Sequence, residues 1–226
     1  GQIRKIGSRL VLEAMNSSAA SFLAGIIGLG NQVTANSSAC STGTEAIIMA
    51  YDRIISGKAE CMLAGSCESD GPIIWSVFDT IRALARDYND RPQEASRAMS
   101  PESRGFVPGA GAGALVLEEY TRAKERGATI YAEIVGGQVN CGAQRQGGTI
   151  TKPNKIAMIK CIRDSIRQAN IHPKEIDLIS GHLTSAISDP IEIAAWTEGL
   201  GLRGLEFPWI NSIKSMTGHC IGAAGA

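Results

Sequence analysis

The sequence predicts a layered α/β fold built from two related halves. Three observations carry this. Candidate strands and amphipathic helices alternate along most of the 226 residues. Hydrophobic residues make up 44% of the chain, enough for a substantial core. "ANSSACSTGT" in the first half and "INSIKSMTGH" in the second share one pattern: strand, Asn-Ser, small turn, Thr-Gly, helix. A duplicated unit would bring these two turns together near a pseudo-twofold axis.

The elements follow in order. "SRLVLEAMNSSAASFLAGIIG" has helical spacing and ends in a glycine turn, and "NQVTANSSA" reads as a strand. Ala46, Ile47, Ala50, Ile54 and Ile55 share one helix face that "SGK" closes. "AECMLAGSCE" is expected to be a short buried strand and "IIWSVFDTIRALA" a helix. "DYNDRPQEASRAMSPESRGFVPG" is polar and rich in turn residues. It reads as a long ordered loop, a type that tends to be functional inside a compact domain. "GAGALVLEEY" is a strand leading into the helix "TRAKERGA".

"IYAEIVGGQVN" opens the second half as a strand, and "KIAMIKCIRDSIRQANI" is an amphipathic helix. "DLISGH" is a buried strand, a helix begins at Asp189, "FPWINS" is a strand, and "GHCIGAAGA" begins a small-residue helix. Glycine clusters such as "GAGAG", "VGG" and "QGG" mark close backbone packing or sharp turns. The expected organisation is one domain over 1–226, with a first half at about 1–127 and a second at about 128–226.

Composition excludes several functions. The 22 basic and 22 acidic residues cancel, so no basic field suits nucleic acid or an anionic membrane. No apolar run reaches the roughly 20 residues of a spanning helix. The opening "GQIRKIGSRL" lacks the apolar core of a signal peptide. Six cysteines with irregular spacing, no CxxC pair and no zinc-like cluster point to free thiols in a reducing cytoplasm.

Cys40 follows a candidate strand and opens a helix. Unpaired N–H groups there favour a thiolate, lower its pKa and can hold an oxyanion. Small neighbours (Ser38, Ala39, Ser41, Gly43) leave room for a substrate. Cys61, Cys67, Cys141, Cys161 and Cys220 are read instead as small hydrophobic fillers. His182 ends one strand and His219 opens a helix after another, the strand ends where α/β sheets gather ligands. His172 lies in a polar connection and is expected to be exposed. Lys214 shares the His219 turn; buried, it would need a carboxylate, which Glu192 or Asp189 could supply.

These blocks carry a family resemblance. "SSACSTG", "GHLTSAISDPIE" and "NSIKSMTGHCIGAAGA" resemble, in order, the active-site blocks of the β-ketoacyl-[acyl-carrier-protein] synthases. The similarity is to the elongating Cys-His-His type of the thiolase-like condensing enzymes. "ASRAMSPESRGFVPGAGAGALVLEEYTRAKERGA" follows the same family pattern. The resemblance implies a thiolase-like α/β/α fold and a decarboxylative Claisen condensation. Cys40 would carry the acyl group. His182 and His219 would promote loss of CO2 from malonyl-acyl-carrier protein and hold the enolate. Lys214 would tune the histidines, with Glu192 and Asp189 in support. Thr184 matches a threonine that contacts the phosphopantetheine arm, and Phe78 a phenylalanine near the acyl pocket. No metal or cofactor is implied. Acyl carrier protein and acyl thioesters are the implied partners. A homodimer is expected, with the strand before Cys40 near its interface.

The chain departs from that pattern. Leu183 and Ala186 replace a glycine and a threonine beside His182, and Ser100, Arg104 and Ala110 stand where acidic residues are usual. The family's opening units and its closing Gly-Phe-Gly-Gly-Thr-Asn loop are absent, so these residues alone are expected to be an inactive fragment. Other readings are a non-catalytic chain-length-factor-like partner, a coenzyme A-dependent acyltransferase, and a cysteine hydrolase.

Overall fold

The computed structural model describes Gly7, residues 9–142 and residues 152–226. Most of the opening "GQIRKIGSRL" and the glycines of "QGG" lie outside the described residues.

The first half is built on α3 (Thr42–Ile55) and an antiparallel pair, β1 (Cys61–Glu68) with β2 (Gly111–Glu118). Ala50 of α3 meets Ala64 and Leu117 of the strands, and Ile47, Tyr51, Ile54, Met62 and Ile134 close around them. The apolar face read from the sequence is therefore the one that packs. β1 is only partly covered: Ala64 alone in it is buried. Before α3 stand α1 (Arg9–Ala14) and α2 (Ser18–Ile27), where one continuous helix was expected. The chain turns at Met15–Ser17, with Ser18 N–H donating to the Met15 carbonyl at 2.9 Å. Asn and Ser favour such local turns over helix interior. Gly28 ends α2 in the left-handed conformation.

Two expected strands, 31–39 and 130–140, form no ladder with any described residue. Alternating apolar residues fit a pleated surface, but only a neighbouring strand supplies the hydrogen bonds. The second segment packs on helices instead: Gly137 N–H donates to Gln168 and the Asn140 amide to the Ala157 carbonyl. The helix α4 (Pro72–Thr80) is shorter than expected, and Leu84 beyond it bridges to Phe106. The helix α5 (Tyr120–Glu125) follows β2 as expected.

The second half packs α6 (Lys155–Ala169) and α7 (Asp189–Leu200) around a parallel pair, β3 (Leu178–Ser180) and β4 (Trp209–Asn211). Ile162, Ile179, Ala195, Leu200 and Leu202 form its core. Asn154 caps α6 by accepting from two backbone N–H groups, and Asn170 ends it in the left-handed region. The short helix α8 (Lys214–Thr217) follows β4, and the last residues, Ile221–Gly225, wind as a 3-10 helix, not the α-helix expected. Small residues let that coil lie close against the first half: a Cβ on Gly43 would come within 2.8 Å of the Ala226 nitrogen. No described helix is long and apolar enough to cross a membrane.

Candidate active site

The two repeated turns meet. Cys40 sits in a 3-10 turn (Ala39–Ser41) that runs into α3, and His219 follows α8. His219 Nε2 lies 3.1 Å from Cys40 Sγ. The rings of His182 and His219 stand edge to face at 5.1 Å. One ligand atom from each of Cys40, His182 and His219 falls within 4.8 Å of the others.

Each side chain has a local cause. Ala39 is held at φ 48°, a conformation that costs a non-glycine residue energy and is found at functional turns. It turns the chain so that Cys40 is half-buried. Gly218 precedes His219 at φ 73° and ψ −177°, a region nearly confined to glycine. His219 is then clamped by its backbone: its N–H donates to Val107 at 2.7 Å and its carbonyl accepts from Gly109 at 3.0 Å. The ring is buried, packed edge-on against Phe106 at 5.2 Å, and its Nδ1 has no hydrogen-bond partner.

His182 opens a loop that two buried carboxylates hold. Glu192 accepts from the backbone N–H groups of His182 at 2.7 Å and Leu183 at 2.9 Å. Asp189 accepts from Thr184, Ser185 and Ala186, and from Met99 across the site. Both carboxylates lie in the first turn of α7, where the helix dipole also favours them. Neither forms the direct ion pair with Lys214 that the sequence suggested, because the loop N–H groups occupy them. Lys214 is buried, and Glu192 and Asp189 act on it only as more distant charges. Burial lowers its pKa most, and those negative groups oppose the shift.

Electrostatics correct a second expectation. The Cys40 pKa is raised, not lowered: burial outweighs the favourable pull of Lys214 and of the Cys40 backbone N–H, and Glu68 adds to the rise. Desolvation first, then nearby positive charge, pushes buried His219 down to about 3 and His182, whose ring is crowded by its neighbours although the residue is exposed, down to about 4. The resting site is therefore a neutral thiol facing two neutral imidazoles.

The long loop reaches the site, as its composition suggested. Ser96 donates to the Lys214 carbonyl, Ser215 accepts from Ala98, and Gly105 N–H donates to the Ser185 carbonyl. Phe78 does not touch His219 directly. It packs on Phe106 at 5.2 Å, and Phe106 packs on His219. Thr184 is buried beside its clamp. Leu183 is fully buried, and its side chain folds over Gly181, where a Cβ would come within 2.9 Å. Ser100 and Arg104 bond only within the loop, and Ala110 accepts from Cys220. His172 is exposed, as expected, and caps a 3-10 turn.

Phe106, Ser185 and Glu68 were not singled out from sequence. Phe106 lies in "RGFVPG" of the loop already marked as functional. Ser185 is buried at φ 69° and accepts from Arg97 N–H. Glu68 ends β1 and accepts from Gly222 N–H, tying the terminal coil to the end of that strand.

Comparison with known proteins identifies the family. The family model for the β-ketoacyl synthase N-terminal domain matches residues 1–123, and that for the C-terminal domain matches 131–226. The chain is 36% identical over 225 residues to the chloroplastic 3-oxoacyl-[acyl-carrier-protein] synthase I of Arabidopsis thaliana, covering 98% of this chain and 46% of that protein. It is 38% identical to 3-oxoacyl-[acyl-carrier-protein] synthase 2 of Vibrio harveyi, over 99% of this chain and 54% of that one. The chain thus spans about half the length of these relatives. A β-ketoacyl synthase from Burkholderia phymatum superposes with a TM-score of 0.89 at 35% identity, over 98% of this chain and 52% of that one. A ketosynthase solved with its type II polyketide acyl-carrier protein and bound to the hexaketide gives 0.88 at 35% identity, over 97% and 53%. The fold is the thiolase-like α/β fold of these enzymes, and the chain belongs to the β-ketoacyl synthase family.

Proposed function

We propose that this chain carries the condensing site of a β-ketoacyl-[acyl-carrier-protein] synthase. One observation carries the reading: a thiol and two neutral imidazoles converge, with His219 Nε2 at 3.1 Å from Cys40 Sγ. In the first step the Cys40 sulfur attacks the carbonyl of an acyl-carrier thioester, and the Cys40 N–H helps hold the oxyanion. The carrier sulfur leaves with the proton lost from Cys40. In the second step the malonyl group of a second carrier loses CO2. The pair of electrons left behind forms an enolate, to which a neutral imidazole N–H can donate. A protonated histidine is not required, which suits the low pKa values. The enolate carbon then attacks the acyl-Cys40 carbonyl, and Cys40 departs as thiolate and regains a proton. The product is longer by two carbons and stays on the carrier, in fatty-acid or polyketide synthesis.

The Lys214 charge favours a thiolate on Cys40, and Thr184 matches the family threonine that contacts the phosphopantetheine arm. Acyl carrier protein is the expected donor, in keeping with the carrier–ketosynthase complex among the similar structures. A homodimer is in keeping with the family and with the exposed apolar side chains Leu10, Val11, Phe22, Ile26 and Val33. Free thiols at Cys40, Cys61, Cys67, Cys161 and Cys220 support a cytoplasmic setting. No residue assignment calls for a metal or organic cofactor in this reaction.

The test is to supply the full-length protein with acyl-carrier and malonyl-carrier thioesters and follow the carrier-bound product by mass. A β-ketoacyl product two carbons longer, absent in Cys40→Ala, is expected. Free fatty acid as the only product would instead establish a hydrolase.

A further inference from the structure

Cys40, His182 and His219 do more than face one another. Among the described residues they are the one group of three side chains whose ligand atoms lie close enough to share an ion. A tetrahedral zinc with one thiolate and two imidazole nitrogens needs ligand atoms about 3.3–3.6 Å apart, given zinc–sulfur and zinc–nitrogen bonds of about 2.3 and 2.0 Å. The separations here run from 3.1 Å for the Cys40–His219 pair up to at most 4.8 Å, which brackets that range. Small rotations of the exposed His182 ring would bring them to it. His219 is fixed by its backbone clamp and its packing on Phe106, so its Nε2 already points at the sulfur.

We propose that Cys40, His182 and His219 form an inhibitory binding site for a thiophilic divalent cation of the zinc class. The exposed side of His182 leaves a fourth position for water, as in zinc sites with three protein ligands. On binding, the Cys40 S–H bond breaks, a sulfur–metal bond forms and one proton passes to solvent. No electron is transferred. Lys214 opposes the dication, and the thiolate formed on binding offsets that repulsion. Occupation removes the sulfur lone pair that acylation needs, so zinc and acyl group are mutually exclusive. That second part rests on the reading of Cys40 as acyl acceptor.

Equilibrium dialysis of the full-length protein against zinc alone, with metal counted by atomic emission, tests the binding. One zinc per chain is expected, removed by EDTA. His182→Ala should weaken binding at least tenfold and Cys40→Ser should weaken it further, while Cys61→Ser leaves it unchanged. Circular dichroism of each variant separates a lost ligand from a lost fold, and the wild-type stoichiometry stands without any variant. No bound zinc, or equal uptake by folded Cys40→Ser, would overturn the proposal. Acyl transfer measured in parallel should fall at least tenfold with zinc and return with EDTA. Acylation that proceeds on zinc-loaded protein would overturn the exclusion. Zinc held by Cys40 in a protein that never accepts an acyl group would sink the condensation reading and leave the metal site standing.

Discussion

The Cys40 turn and the His219 turn share a sequence pattern but are held in opposite ways. Cys40 is set by its own neighbours: Ala39 at φ 48° and the start of α3. His219 is set from outside its segment, by Val107, Gly109 and Phe106 of the long loop. His182 resembles His219 in this, since Glu192 and Asp189 reach back from α7 to hold its loop. A nucleophile needs a defined exit from a helix start, which a local turn can supply. Two histidines that must face it from other segments need long-range clamps. The lesson is that damage to the histidine side should spread through the loop, while damage at Cys40 should stay local.

Predictions that break or sharpen this contrast follow in order of size. Gly218→Ala should be the most damaging backbone change. Its φ and ψ are close to glycine-only, at a cost of about 1–3 kcal/mol, and its Cβ would lie 3.0 Å from the Val107 oxygen that clamps His219. Condensation should fall at least tenfold, whereas uptake of an acyl group on Cys40 should fall much less; single-turnover assays separate the two steps. Glu192→Ala strands two loop N–H groups and should cost about 1–3 kcal/mol for each left unpaired, read by urea unfolding.

Acid should also weaken the fold. Both histidines keep pKa values below 6.5, so an unfolded chain binds protons that the folded chain does not. Stability is whole above pH 6.5 and is lost as pH falls toward 4 for His182 and toward 3 for His219. The slope is about 1.4 kcal/mol per pH unit for buried His219 and less for exposed His182. His219→Gln should flatten it. The smallest effect belongs to the other turn. Ala39→Gly relieves the positive φ and should change stability by at most about 1 kcal/mol, leaving acyl uptake intact. A large loss there would break the contrast.

The helices and the chemistry-bearing residues were legible because their causes are local. Apolar spacing marks α3 and α6, and Cys40, His182 and His219 each stand at a strand-to-helix junction. The segments at 31–39 and 130–140 were not, because a ladder depends on what lies alongside. Glu192 and Asp189 were chosen as partners of Lys214, yet they bind backbone N–H groups, a choice that loop geometry makes and sequence spacing does not. The Cys40 pKa was misjudged for a related reason: the helix start is visible in sequence, but the burial that outweighs it is not. Phe106 was hidden because the rings it packs on, Phe78 and His219, come from distant segments.

The central claim is that Cys40 accepts the acyl group. The most direct measurement is the intact mass of the full-length protein after mixing with an acyl-carrier thioester, beside Cys40→Ala. A single acyl increment that vanishes in the variant is the predicted result. No increment across several chain lengths, or one that survives Cys40→Ala, would contradict the account.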